Sequence, residues 1–293
     1  MANNHEQFKA FHDAIKATST RRKTLKKNRD ALRDKIKKYF KDNHSDYIQP
    51  TFYWQGSYAM HTLLNPIKDE NGLGAFDLDD GVYFESDDIN DRKSIDWYHQ
   101  EVYEAVKDHT ENGADDIDPC VRVQYADGHH IDLAIYFLHT TEDKTMLAHR
   151  LEPWHESNPD EMIAWFSDEC KSKTKFRELV RFMKAWCEYK RSEGIKMPSG
   201  CIMSMLTSEY YQWNDENRYD IAMRDILKNM YDNLSKEGHF HCWRPVEPGE
   251  DLFDNYTKGR KDTFLKELKS FKEDAEMAIA SKNEDNDDDG ATI

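Results

Sequence analysis

Short apolar runs with alternating polar positions occupy the first half of the chain and predict strands. Thr51–Trp54 and Ala75–Phe84 are rich in β-branched and aromatic residues, which favour the extended conformation. Pro119–Tyr125 and Ile131–Phe137 are separated by the turn residues Ala126-Asp127-Gly128, so these two strands are predicted to form a hairpin. This half of the chain therefore predicts a β-sheet.

Helical periodicity precedes and follows this sheet. Residues 5–43 predict one long helix, bent near Ser19-Thr20, and residues 94–107 predict a helix between strands. The later part of the chain is helical throughout, and its predicted helices are 160–170, 173–192, 199–213, 218–236 and 261–281. Strands followed by helices indicate the α+β class with a helical second lobe.

Three segments are predicted along the chain. Residues 1–158 carry the long helix and the sheet, and residues 159–282 form the helical lobe. Residues 283–293 form an acidic tail that is expected to be disordered, because its charged, weakly apolar sequence cannot bury a core.

Composition places the chain among globular proteins. No stretch approaches the roughly 18 apolar residues that a spanning helix needs, and the N-terminus is polar, so neither a membrane span nor a secretory signal is expected. The five cysteines are scattered without a C-x-x-C pair, which is typical of reduced thiols in a cytoplasmic protein.

The charge of the chain is strongly acidic, with one basic exception. A net charge of −16 argues against binding along a nucleic-acid backbone, which requires a basic face. Residues 21–38 are nevertheless crowded with Lys and Arg. Two interpretations stay open: this segment contacts nucleic acid or an acidic partner, or it is a solvated helix face.

Asp77 and Asp79 carry the clearest chemical signal. They are separated by one residue in a strand, so both carboxylates point to the same face and repel each other unless a cation neutralises them. Mg²⁺ binds such carboxylates together with substrate phosphates. Upstream, Gly56-Ser57 forms a small turn whose N–H groups and hydroxyl can hold phosphate oxygens. The pattern predicts metal-dependent nucleotidyl transfer.

Asp132 is the candidate third carboxylate. It lies between Ile131 and Leu133 in a strand that is expected beside the Asp77 strand, and two-metal transfer needs a ligand that serves the second ion. The alternative is a solvent-facing position on a two-sided strand. Asp80 points to the opposite face from Asp79, so a structural role is expected for it.

This ordered set resembles the polymerase-β-like nucleotidyltransferase superfamily. Within it, Gln55-Gly56-Ser57-Tyr58, residues 76–83 and residues 130–133 resemble the bacterial cGAS/DncV-like enzymes, the CD-NTases, over roughly residues 45–270. The resemblance implies a nucleotidyltransferase core, which is a mixed sheet with flanking helices, plus a helical second lobe, the two lobes surrounding a cleft.

The resemblance also implies roles for individual residues. Lys184, in a Lys-x-Trp helix, would contact the triphosphate, although the residues alone favour the polar face of a helix that buries Phe182 and Trp186. Ser199 would contact phosphate or base, and it is equally a good helix N-cap. The implied set is Asp77, Asp79 and Asp132 as catalytic metal ligands, with Gln55, Gly56, Ser57, Lys184 and Ser199 binding substrate.

The activity that the resemblance implies is a nucleotide-signal synthase. Two Mg²⁺ ions, or Mn²⁺, would serve to join nucleoside triphosphates, ATP and/or GTP, into a cyclic di- or trinucleotide with release of pyrophosphate. Asp132 would act as the general base, and the product would act on a separate effector protein in anti-phage (CBASS) signalling. Two alternatives stay open: a template-independent transferase that extends RNA ends, and a catalytically silent nucleic-acid-binding sensor.

Two departures from the family pattern bear on regulation. The spacing from Ser57 to Asp77 exceeds the superfamily minimum, so residues 64–75 are an insertion. The sequence has no zinc ribbon, which predicts that DNA does not activate the protein directly. The tail ending in Gly290–Ile293 is either a handle for a regulator or conjugation partner, or a solvated tail.

Overall fold

The computed structural model describes residues 2–67, 76–246 and 249–281. Most of the predicted insertion, the start of the Ala75 strand and the predicted tail 283–293 lie outside these residues. The elements are α1 His5–Ile15, α2 Ser19–Asn43, β1 Thr51–Trp54, α3 Gly56–Ala59, β2 Phe76–Ser86, a 3₁₀ turn Ile89–Asp91, α4 Ile95–Val106, β3 Ala114–Ile117, β4 Cys120–Gln124, β5 His129–His139, β6 Lys144–Leu147, β7 His155–Glu156, α5 Pro159–Ser172, α6 Phe176–Ser192, α7 Gly200–Glu209, α8 Tyr219–Leu234 and α9 Lys258–Ala280.

The chain divides into two compact units. One is Ala17–Ala164, and the other combines Met1–Lys16 with Trp165–Ile293. The boundaries predicted from the sequence, 1–158 and 159–282, differ mainly at the N-terminus, because α1 packs within the helical unit. Among the described residues, no helix combines the length and the apolar character that crossing a membrane requires.

The sheet of the first unit is mixed. Its strand order is β1-β2-β5-β4-β3, with β6 on the second half of β5 and β7 on β6. Only the β2–β5 pairing is parallel among these ladders. The predicted hairpin is confirmed as the antiparallel β4–β5 pair. β5 is therefore the centre of the sheet, with β2 along its whole length.

One face of the sheet is apolar and builds the core of this unit. Leu78, Val82 and Phe84 of β2 are almost fully buried, as are the alternate residues of β5. They pack against α2 and α4, whose buried side chains recur at helical spacing, as Leu32, Ile36 and Phe40 illustrate in α2. Because strand side chains alternate, Asp77 and Asp79 face away from this core.

The predicted long helix over residues 5–43 is two helices, and the predicted bend near Ser19-Thr20 lies at the break between them. The chain breaks at Lys16–Thr18, where the Ala17 N–H donates to the Leu63 carbonyl oxygen and the Thr18 hydroxyl caps α2 by accepting from the Arg21 N–H. Periodicity alone is the same on both sides of this break, so it could not reveal the tertiary hydrogen bond that sets it.

The arginines of α2 pack against aromatic rings, whereas most of its lysines are exposed. The guanidinium carbons of Arg22 and Arg29 lie 4.2 and 4.4 Å from the ring centres of Tyr58 and Trp54, and Arg29 is 2% exposed. These two arginines therefore make cation–π contacts instead of facing solvent. Exposed lysines such as Lys23 still face solvent on the same helix.

The helical unit joins both ends of the chain. Phe8 of α1 packs edge-on against Phe182 of α6, with ring centres 5.1 Å apart. Asp220, at the start of α8 and 4% exposed, accepts hydrogen bonds from Arg218 and, at 2.9 Å, from the backbone N–H of Asn4. The N-terminal segment is thereby fixed to helices that follow it by about two hundred residues.

Three strands were missed by sequence analysis, namely β3, β6 and β7. β3 contains the adjacent residues Asp115 and Asp116, although aspartate is depleted in strands. Asp116 lies 2.7 Å from Nδ1 of the buried His99 of α4. This tertiary contact outweighs the poor strand propensity of consecutive aspartates.

Candidate active site

The three predicted carboxylates lie on one face of the sheet. In the parallel β2–β5 ladder, Asp79 is the direct partner of Asp132, and Asp77 is the partner of His130. Neighbouring strands are separated by about 4.8 Å, so the side chains of these partners are adjacent. Asp132 is 13% exposed, whereas Asp77 is solvent-exposed. The sheet register therefore brings together the carboxylates that sequence spacing predicts.

Gly56 closes directly over Asp79. Its φ is +57°, in the left-handed region that favours glycine. A Cβ atom at this position would lie 1.8 Å from Oδ2 and 2.8 Å from Cγ of Asp79. The Gly56-Ser57 turn, which begins α3, is thus in contact with the carboxylate only because residue 56 has no side chain.

Gln55, which precedes the Gly56-Ser57 turn, is anchored by two tyrosines of the sheet. It is 5% exposed, its Nε2 donates to the Tyr83 hydroxyl at 3.1 Å, and its Oε1 accepts from the Tyr136 hydroxyl at 3.4 Å. The rings of these two tyrosines stack with centres 4.7 Å apart. Burial raises the pKa of Tyr83, so its hydroxyl stays protonated. These two hydrogen bonds hold the Gln55 side chain in place and so fix the Gly56-Ser57 turn that follows it.

Arg122 of β4 is the cation nearest to Asp132 along the hairpin register. Its Nε donates to Oδ1 at 2.8 Å and its NH2 group to Oδ2 at 2.7 Å, so the pair is bidentate. This pairing raises the pKa of Arg122. Sequence reasoning missed the residue, although the predicted hairpin contains the signal, because the pairing of β4 with β5 places Arg122 directly opposite Asp132.

Two neutral neighbours complete this surface. Burial lowers the pKa of His130, and the nearby Asp132 only partly offsets this. Burial also raises the pKa of Cys120 to about 12, with the charge of Asp132 acting in the same direction. A thiol of that pKa stays protonated at neutral pH, so Cys120 is not a nucleophile here.

Asp80 is excluded from the carboxylate set by its orientation. It is fully buried on the core side of the sheet, where Nε of Arg33 donates to its Oδ2 at 2.7 Å and the NH2 group of Arg33 donates to its Oδ1. The expected structural role is confirmed.

In the helical unit, Lys184 and Ser199 are brought to the start of α7. A Cβ atom on Gly200 would lie 2.7 Å from Cε and 3.3 Å from Nζ of Lys184, so the lysine side chain crosses the first turn of that helix. Ser199 is the N-cap, and its hydroxyl accepts from the Ile202 N–H at 3.3 Å. Phe182 and Trp186 are buried beside Lys184 on α6. A cation and a helix N-terminus together favour an anion.

The donor set matches a hard divalent cation in kind. Three carboxylates on one sheet face supply the oxygen ligands that Mg²⁺ takes. Within the described parts of the chain, however, no three His, Cys, Asp or Glu side chains are arranged as a ready metal site. Both oxygens of Asp132 face Arg122 instead. The three aspartates fit such an ion by residue type and by sheet register, provided that the Asp132 carboxylate rotates away from Arg122.

A separate polar cavity of about 350 Å³ lies in the helical unit, between the end of α7, α8 and residues 239–241. It contains none of the residues predicted from the sequence, so its walls do not bear on this chemistry.

Comparison with known proteins gives matches in sequence and in fold. Residues 50–136 match the family model described as cyclic GMP-AMP synthase DncV-like, nucleotidyltransferase domain. A cyclic GMP-AMP synthase from Escherichia albertii is 27% identical over 172 residues, which cover 54% of this chain. The matched part spans 37% of the length of that relative.

Solved structures of Vibrio cholerae DncV share the fold. The apo form has a TM-score of 0.80 at 19% identity, covering 94% of this chain and 90% of that one. The complex with nonhydrolyzable GTP has a TM-score of 0.81 at 19% identity, and the complex with the linear intermediate 5′ pppA(3′,5′)pG has 0.80 at 18% identity, each covering 96% of this chain and 92% of that one. The predicted nucleotidyltransferase fold class is confirmed.

Proposed function

Because residues 50–136 match the DncV-like nucleotidyltransferase family model, we propose that the protein joins nucleoside triphosphates into a cyclic di- or trinucleotide and releases pyrophosphate. The observation that carries the proposal is the register that pairs Asp79 with Asp132, beside a glycine turn closed over Asp79. ATP and GTP are the proposed substrates, since the Vibrio cholerae DncV structures include complexes with a GTP analogue and with a linear A–G intermediate.

Asp77, Asp79 and Asp132 would hold two Mg²⁺ ions, with Mn²⁺ as a substitute. When bound, such ions activate an attacking hydroxyl and neutralise the charge of the triphosphate. Asp132 would accept the proton of the attacking 2′- or 3′-hydroxyl. Its position beside Asp79 in the sheet register is what supports this role.

The phosphates would be held by backbone and cationic groups. Gly56 and Ser57 offer N–H groups and a hydroxyl next to Asp79, and Gln55 keeps their turn in place through its two tyrosine partners. In the helical unit, Lys184 and the N-terminus of α7 at Ser199 would bind a phosphate group.

The biological setting follows from the family resemblance. The proposed product acts on a separate effector protein in anti-phage signalling, and the C-terminal tail is the candidate contact for a regulator or conjugation partner. A cytoplasmic location is proposed because the substrates are nucleoside triphosphates and none of the five cysteines, all of them in the described part, is disulfide-bonded.

The test is incubation with labelled triphosphates in Mg²⁺ or Mn²⁺, with products analysed by mass spectrometry. We expect small phosphatase-resistant products from the native protein and none from Asp77→Asn. The matched control is Asp87→Asn, since Asp87 is an exposed aspartate just after the same strand and should leave activity unchanged.

Other outcomes separate the alternatives. Label transferred only to added RNA would favour the end-extending transferase over cyclic products. No turnover with any metal or nucleotide, together with tight binding of RNA or DNA, would overturn both enzymatic interpretations in favour of a silent sensor.

A further inference from the structure

The Arg122–Asp132 pair is fixed both by the pairing of its strands and by two side-chain hydrogen bonds. The two residues are direct partners in the β4–β5 ladder, so the sheet backbone fixes the distance between their strands. Both carboxylate oxygens accept a hydrogen bond from the guanidinium, at 2.8 and 2.7 Å. The side chain of Arg122 is 34% exposed and that of Asp132 is 13% exposed. Such a bidentate guanidinium–carboxylate contact orients the carboxylate as well as neutralising its charge.

Asp132 also lies in a crowded acidic surface. Asp79 is its neighbour across the parallel ladder, and Asp77 follows on the same face. Like charges this close destabilise one another, and the guanidinium of Arg122 offsets one of them. The same carboxylate is the proposed ligand of the second divalent cation. A guanidinium and a divalent cation on one carboxylate repel each other and require the same oxygens.

We propose that Arg122 is a positioning residue that holds Asp132 away from the second metal position until substrate arrives. This inference rests on the proposed function. Mg²⁺ uses one or two carboxylates together with substrate phosphates, so an ion at Asp132 has too few ligands to displace Arg122 before the nucleotide contributes its own oxygens. Arg122 thus makes the second ion bind after the triphosphate, which keeps Asp132 neutralised between turnovers.

The test measures Mn²⁺ binding without nucleotide, by calorimetry and by electron paramagnetic resonance of free Mn²⁺. Arg122→Gln keeps amide donors but removes the charge, and it should bind a further Mn²⁺ about 10- to 100-fold more tightly than the native protein, in line with the strength of hydrogen bonds between charged groups. The gain should disappear in Arg122→Gln/Asp132→Asn. Arg150→Gln is the matched control, since Arg150 is 40% exposed and pairs with Asp116 instead.

Several outcomes would overturn the proposal. Unchanged or weaker Mn²⁺ binding in folded Arg122→Gln contradicts it, and so does a gain that persists when Asp132 is also replaced. Should Arg122→Gln fail to fold, the native protein still decides the question through the Arg122 Nε–H resonance. Saturating Mg²⁺ alone should leave this resonance unshifted, whereas Mg²⁺ with a non-hydrolysable triphosphate should shift it. Because no product is measured, an inactive protein would refute the proposed function without affecting this result.

Discussion

Adding one methyl group at Gly56 should lower the catalytic rate far more than its modest effect on stability explains. Alanine at φ +57° costs about 1–2 kcal/mol, because L-residues other than glycine are strained in the left-handed region. The new Cβ would also lie 1.8 Å from Oδ2 of Asp79, where contacts under 3.0 Å essentially never occur. The carboxylate must therefore recede by more than 1 Å, and rotation alone gives limited relief because Cγ and Cβ of Asp79 are also close, at 2.8 and 3.1 Å.

A displacement of this size in a catalytic group lowers the rate by about 10²-fold. We expect Gly56→Ala to lose at least that much in the initial rate of pyrophosphate release from labelled triphosphates. Its free energy of unfolding, measured in urea, should fall by about 1–2 kcal/mol from backbone strain.

Gly113→Ala is the matched control for backbone strain. Gly113 lies in the same unit with φ +73°, and a Cβ there would meet only the Lys107 carbonyl oxygen, at 3.4 Å. This variant should lose comparable stability and keep its rate. Equal rates for the two alanine variants would refute the argument that Gly56 is required by Asp79.

Two further predictions concern stability. Arg33→Met should destabilise the protein by about 3–5 kcal/mol, because it leaves Asp80 buried without its partner. Arg33→Met/Asp80→Leu should recover most of that loss in urea unfolding, and a loss that simply doubled would contradict this explanation. Burial alone would raise the pKa of Asp220, but the hydrogen bonds from Arg218 and from the Asn4 N–H outweigh it and hold the pKa below its ordinary value of 3.8. The stabilising contribution of Asp220 is therefore complete above pH 3.8 and is lost as the pH falls further, so the stability difference between the native protein and Asp220→Asn should shrink below pH 4 and a constant difference would disprove it.

The sequence was sufficient wherever a local pattern coincided with the tertiary arrangement. The alternation around Asp77 and Asp79 fixed which face each side chain takes, because the period of a strand is two. The hairpin that contains Asp132 followed from its turn residues, and the helices of the second unit followed from their periodicity. Ser199 as an N-cap was equally a local feature.

What the sequence could not predict depends on contacts between distant residues. The packing of Arg29 on Trp54 requires knowledge of how α2 crosses β1. β3 contains two adjacent aspartates that local propensity assigns to a loop, and only His99 of α4 accounts for one of them in a strand. The Arg122–Asp132 pair was within reach of the predicted hairpin, but its register had to be known to one residue.

The division of the chain into two units also sets an order for folding during synthesis. The unit that carries the aspartates is one continuous segment, Ala17–Ala164, and every strand of its sheet is synthesised before α5 begins. The helical unit needs α1 from the beginning of the chain and α9 from near its end, joined through Asn4 and Asp220 and through the Ala2–Ile279 backbone hydrogen bond. Because domains fold as they emerge, we expect the sheet to form first, while α1 waits for α8 and α9 to complete its surroundings.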